Sequence, residues 1–278
     1  MIRRRVGNEF WLITQHDHAL LSGALARDVG NKLFDPIESA EAILGIELHD
    51  CGWPLHDERP TLNEAGLPLD VFESPRAIAL EVWQASAERA AERDAYAGLL
   101  VSLHALSLSV NASTPTPQKH EKFDLSEAKT RFEVNRFQHN QIELQERLRR
   151  KLSMATDVPL RHGLAGETRD PRELALHHHF RLLQGMDQIS LALCCTQPPA
   201  NEIRPVFTRS GGKQVTLRVR RAAPTELLIS PWPFGPDQLE VSTSFRRVVE
   251  GSYEDLESFR RLYSNAKDEP LTFSLRPD

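Results

Sequence analysis

The chain has 278 residues, a formal net charge of −5, 40% hydrophobic residues and 7% aromatics, enough for one large or two modest globular domains with a sizeable core. Acids and bases are mixed along it with no basic stripe, which argues against a nucleic-acid surface. The apolar run after the basic start is too short for a leader, and the longest apolar run, residues 99–110, carries His104 and three serines. The reading is a soluble, cytoplasmic protein with no membrane span. Three cysteines, two of them the adjacent Cys194 and Cys195, fit a reducing compartment and thiols that simply pack.

In chain order, residues 1–14 read as a hairpin turning at Gly7 and Asn8. A helix over residues 16–33 places His18, Leu21, Ser22 and Leu25 on one face. His18 alone reads as a core histidine with a backbone partner, and Asp17 as a cap. A second helix, residues 36–50, is mostly buried through Ile43, Leu44, Ile46 and Leu48, and stops at Gly52 and Pro54. Its last turn carries His49 beside Asp50. A carboxylate there must be paired or bound to metal, because burying it unpaired costs several kcal/mol. The proline-rich stretch 51–75 is long for a connection and holds His56, Asp57 and Asp70 as residues of a pocket mouth or as solvated polar groups.

Helices over 77–93 and 95–109 follow, with Asp94 as cap of the latter. On it His104 shares an apolar face with Leu100, Val101 and Leu108. Residues 111–124 read as a flexible loop or lid with a solvated His120. The match to a glycosylation sequon at Asn111 is chance in a cytosolic chain. A charged helix, residues 126–154, buries Phe132, Phe137, Ile142, Leu148 and Leu152, with His139 at the surface. The last long helix, residues 172–195, carries a solvated His177, His178 and His179 and then Asp187 among Phe180, Leu183 and Leu191. From Pro198 alternation predicts strands at 215–219, 227–230, 239–249 and 272–275, a rigid corner at 231–236, and a helix capped by Ser252 that buries Leu256, Phe259 and Leu262. The fold class expected is mainly α with a small C-terminal antiparallel β-sheet subdomain, α+β overall. The helical metal-site domain is placed at 15–197, and the sheet at 198–278 with the hairpin 1–14.

Four helices thus each put a metal-competent residue on an apolar face: His18, His49 with Asp50, His104 and Asp187. Imidazole and carboxylate suit a divalent ion such as zinc, manganese or iron. This ordered set, a His, then His-Asp about thirty residues on, then a distant Asp on a late helix, resembles the HD-domain superfamily of metal-dependent phosphohydrolases over residues 14–196. More narrowly, residues 14–18, 49–53 and 102–104, Asp187 to Leu191, and Pro231 to Phe234 resemble an uncharacterised bacterial family, domain of unknown function 3891, over nearly the whole chain.

The resemblance implies an HD-like helical bundle. It also implies one or two divalent metal ions (Fe, Mn, Zn or Mg) on His18, His49, Asp50 and Asp187. His104 matches the extra histidine of members with a second metal, but a clear sixth ligand is missing: His120, His139 and His177 to His179 are the later candidates. The implied activity is hydrolysis of a small phosphoester or nucleotide by metal-activated water. Asp50 and His104 are the catalytic candidates: Asp50 bridges metals if there are two, and His104 ligates the second or protonates the leaving group. Arg59, Lys119 and Lys122 would meet phosphate charge. The alternatives are a mixed-valence di-iron oxygenase, which needs two irons and six ligands, and a non-catalytic metal- or ligand-binding module whose sheet face offers a homodimer or partner surface.

Overall fold

The computed structural model describes residues 1–113, 123–156, 170–251, 253 and 255–278. Strands β1 (Ile2–Val6) and β2 (Glu9–Ile13) form the expected hairpin, with Gly7 at φ +61° in its turn. Strand β2 then pairs antiparallel with β6 (Leu239–Val249), so the start of the chain is built into a sheet formed mostly by its end.

That sheet overturns the expected fold class. The chain is about 48% helical and 22% strand, not mainly helical with a small C-terminal antiparallel sheet. Among the described residues seven strands run in the order β1-β2-β6-β7-β5-β4-β3, where β3 is Glu202–Phe207, β4 Gln214–Ala223, β5 Glu226–Ser230 and β7 Asp268–Pro277. The sheet is mixed, because β5 and β7 run parallel. Two features escaped the reading of the sequence. Strand β3 contains Pro205, which demotes it as a strand, but it lies at the sheet edge, where proline is tolerated, and its register shifts between Ile203 and Val206. The parallel pair is set by tertiary placement, since alternation marks a strand's faces and not its direction.

The helices are α1 (Gln15–Arg27), α2 (Ala40–Glu47), α3 (Pro54–Asp57), α4 (Arg76–Arg93), α5 (Ala95–Ala112), α6 (Ala128–Lys151), α7 (Pro171–Cys194) and α8 (Leu256–Asn265). Thr14, not Asp17, caps α1: its hydroxyl oxygen accepts from Asp17 N. The helix stops well short of residue 33 because the chain is drawn off to the corner after β5. There Gly30 N donates to Pro233 O, and Gly235 N to Asp28 O. Ser39 caps α2, which is shorter at both ends than expected. Asp94 caps α5 by accepting from Tyr96 N and Ala97 N. Helix α5 is long and apolar enough to cross a membrane by composition, but it lies inside the protein, packed by α2, α4, α6 and α7.

One core cluster joins helices and sheet. It runs from Leu21 and Leu25 of α1 through Ile46, Leu99 and Leu183 to Val219, Ile229 and Phe273. Helix α7 is clamped to the sheet at its C-terminus. Arg4 donates to Leu193 O at 2.6 Å, and Arg221 donates to Cys195 O at 3.0 Å and to Ala192 O. Cations there satisfy carbonyls that the helix leaves open and oppose its dipole.

On α6, Phe132 is 64% exposed, not buried, and the inward face is shared by Phe137, Leu144 and Leu148 with Gln141 and Gln145. Both amides hydrogen-bond Ser102 of α5, at 2.8 and 3.1 Å, so a polar seam hides inside the expected apolar stripe. Helix α8 is capped by Asp255 and buries Phe259 and Tyr263, while Leu262 is exposed. Ser252, like Lys119, His120 and Lys122, lies outside the described residues.

Candidate metal centre

The centre begins where α2 ends. Leu48 is the C-cap, so His49 and Asp50 stand in the turn beyond the helix and not in its last turn. The carbonyl of Ile46, left open by the helix end, accepts a hydrogen bond from His49 Nδ1 at 2.7 Å. The turn is then pressed against α4: Gly52 N donates to Ser86 Oγ, and a Cβ at position 52 would lie 2.2 Å from Val82 O. Glycine is required there, and the fixed turn aims both side chains inward.

From α1, His18 reaches the same point. Its Nδ1 contacts Ser190 Oγ at 2.6 Å, which leaves Nε2 3.2 Å from Asp50 Oδ2 and 3.3 Å from His49 Nε2. Asp187 comes from α7, with Oδ1 3.5 Å from His18 Nε2 and 3.6 Å from His49 Nε2. Its other oxygen faces α5, where His104 Nε2 lies 3.8 Å away. All five side chains are buried: none of these residues is more than 6% exposed. The five predicted site residues therefore converge, and His18, His49 and Asp187 form a group whose donor atoms lie close enough together to hold a metal ion.

The electrostatics follow from this crowding. Burial pulls His49 down, but Asp50 and Asp187 override it and hold the imidazolium up to about 9. Burial opposes ionisation of Asp50 and Asp187, yet the surrounding histidines hold both carboxyls below the usual range. His104 goes the other way: burial, only partly offset by Asp187, pushes it down to about 4. Its Nδ1 has no hydrogen-bond partner among the described residues, and its Nε2 is too far from Asp187 for a hydrogen bond.

The donor set fits a metal ion. Both His18 and His49 use Nδ1 outward, on Ser190 and on the Ile46 carbonyl, the outer contacts that fix metal-binding imidazoles. The two Nε2 atoms and the carboxylate oxygens of Asp50 and Asp187 then face one another at 3.2 to 3.7 Å. These are all acceptors once each Nδ1 carries its ring's proton. Something positive must sit among them, a proton or a metal ion.

The other singled-out residues lie elsewhere. His139 is at the surface as expected, paired with Glu143. His177, His178 and His179 diverge, but they are not a solvated cluster: His178 is 4% exposed, and His179 Nδ1 bonds the Tyr96 hydroxyl at 2.8 Å. His56 pairs with Glu81 at the surface, and Arg59 is exposed. Asp57 holds the Met1 amine and Gln15 N, and Asp70 accepts from Arg3 N and Phe72 N, so both serve the fold. Ser22 and Ser190 are the members of the site that the sequence reading left without a role. Each stands one helical turn beyond a predicted ligand, His18 and Asp187 respectively, and a polar residue at that spacing on an apolar face was the available signal.

No curated protein and no solved structure matches the chain. The family model described as "Protein of unknown function (DUF3891)" matches residues 1–250, and the chain belongs to that family.

Proposed function

We propose that the chain is a metal-dependent phosphohydrolase acting on a small phosphoester or nucleotide. The observation that carries the metal reading is the convergence of two imidazole Nε2 atoms and two carboxylates on one buried point, with both Nδ1 atoms bonded outward. The choice of phosphoester hydrolysis leans on the likeness of the ordered set His18, His49 with Asp50, and Asp187 to the HD-domain superfamily. A divalent ion held there would polarise a phosphoryl oxygen and bring a bound water into reach of deprotonation near neutral pH.

The chain's residues have separate tasks. His18, His49, Asp50 and Asp187 would hold the ion, and their burial would keep bulk water from competing. Asp187 presents one oxygen to the His18 and His49 side and the other towards His104. Were two ions held there, Asp187, with one oxygen on each side, would suit the place between them better than Asp50. His104, neutral because burial holds it near 4, would serve as a ligand rather than as a proton donor at neutral pH.

The test is elemental analysis of protein purified without chelator, followed by a panel of phosphomonoesters and nucleotides with the metal found. Hydrolysis that disappears in Asp50→Ala, with the fold intact by circular dichroism, supports the proposal. A metal-loaded protein inert across the panel would overturn the hydrolase reading and leave the metal centre standing.

A further inference from the structure

The contact between His18 and Ser190 has a direction. The Ser190 hydroxyl donates to the Asp187 carbonyl, at 2.8 Å. Ser22 Oγ approaches Ser190 Oγ at 2.9 Å and donates to it or to the His18 carbonyl, 3.0 Å away. With its proton given to that carbonyl, Ser190 meets His18 as an acceptor, and the 2.6 Å contact then places the proton on His18 Nδ1. Ser22 and Ser190 have no exposed surface and His18 is 1% exposed, so bulk water has no access to replace either hydroxyl.

We infer that Ser190, backed by Ser22, is a positioning residue that fixes the tautomer of His18 and so keeps its Nε2 lone pair aimed at the metal centre. The inference rests on the metal reading of that centre. The same serines tie α1 to α7, the helices that carry His18 and Asp187, so one relay sets both the distance between two ligands and the protonation of one of them. Loss of such an outer contact weakens metal binding by about 10–100-fold.

The test has two arms on the full chain. In metal-free protein, 15N chemical shifts report which nitrogen of His18 carries the proton. In parallel, Co2+ is titrated into the protein and followed by its visible absorption. Ser190→Ala is expected to release His18 from the Nδ1–H tautomer and to weaken Co2+ binding by about 10–100-fold, while Ser190→Thr, which keeps the hydroxyl, restores both. Should Ser190→Ala not fold, Ser190→Cys, close in size and a weak acceptor, is expected to give the same two losses. A variant without the hydroxyl that keeps the Nδ1–H tautomer, or that binds Co2+ as the wild type does, overturns the inference. A wild type that takes up no Co2+, with a tautomer that still depends on Ser190, removes the metal reading and leaves the positioning role.

Discussion

The protein buries charge in two ways. Arg149 and Glu173 face each other across α6 and α7, both almost fully buried, and the guanidinium engages both carboxylate oxygens while Ala155 O takes a further donor. Opposite charges are matched there and both carboxylate oxygens are taken, although Arg149 Nε has no hydrogen-bond partner among the described residues. At the metal centre, by contrast, two imidazole Nε2 atoms and two carboxylates crowd one point, where in the metal-free protein the proton on His49 is what sits between them, and His104 Nδ1 has no hydrogen-bond partner among the described residues. A buried group closed by its own partners belongs to the fold. The crowded group of His18, His49 and Asp187 could hold a metal ion, and the proposed metal reading rests on it.

The sharpest way to break this comparison is to mutate one carboxylate in each region. Glu173→Ala leaves the Arg149 charge buried and unpaired, and unfolding by denaturant should show a loss of about 3–5 kcal/mol. Asp187→Asn removes one of two crowded carboxylates and relieves repulsion with Asp50, but it also leaves the His49 imidazolium one counter-charge short, so its loss of metal-free stability should be smaller than that of Glu173→Ala. Metal binding by Asp187→Asn, followed by calorimetry, should be abolished. Equal destabilisation in the two variants would mean that the centre is only another structural ion pair.

Metal itself should act on one region alone. With ion at about a hundred times its dissociation constant, linkage gives about 2.7 kcal/mol of stabilisation, seen as a lower melting temperature when a chelator is added. Gly52→Ala, which forces the turn away from Val82 O and Ser86, should weaken both folding and metal uptake. The folding cost is about 1–3 kcal/mol in the same denaturant assay.

Acidity gives a subtler contrast. His49 is raised to about 9 in the metal-free protein, so the stability it contributes is fully present below about 6.5 and is lost as pH rises through 9. Melting temperatures of chelated protein should therefore fall between pH 6.5 and 9. A His49→Gln variant should lack that fall, and a matching fall in it would assign the effect elsewhere. The smallest effect is the control: Asp94→Ala removes the cap of α5 and should cost about 1 kcal/mol while leaving metal affinity unchanged.

Much of the centre was legible because ligand-type residues on apolar faces are costly and so conspicuous: His18, His49, Asp50, His104 and Asp187 each stood out that way, and the structure brings them together. Ser22 and Ser190 did not stand out, since small hydroxyls pass on a buried helix face. The fold was less legible where tertiary contacts override local pattern. The sheet took in Pro205 at its edge and paired β5 with β7 in parallel, and the corner at Pro233 and Gly235 ended α1 early. Phe132 is exposed and the buried face holds Gln141 and Gln145 instead, each with one amide atom bonded to Ser102.

The central claim is that the open cluster is closed by a metal ion. Its most direct test is calorimetric titration of Zn2+ into metal-free wild type and into His49→Ala, at neutral pH in buffers of different ionisation enthalpy. Saturable binding in the wild type is expected, with proton release from His49 visible as a dependence of the heat on buffer, and no such binding in the variant. Binding of equal strength in both proteins, or none in either, would contradict the claim.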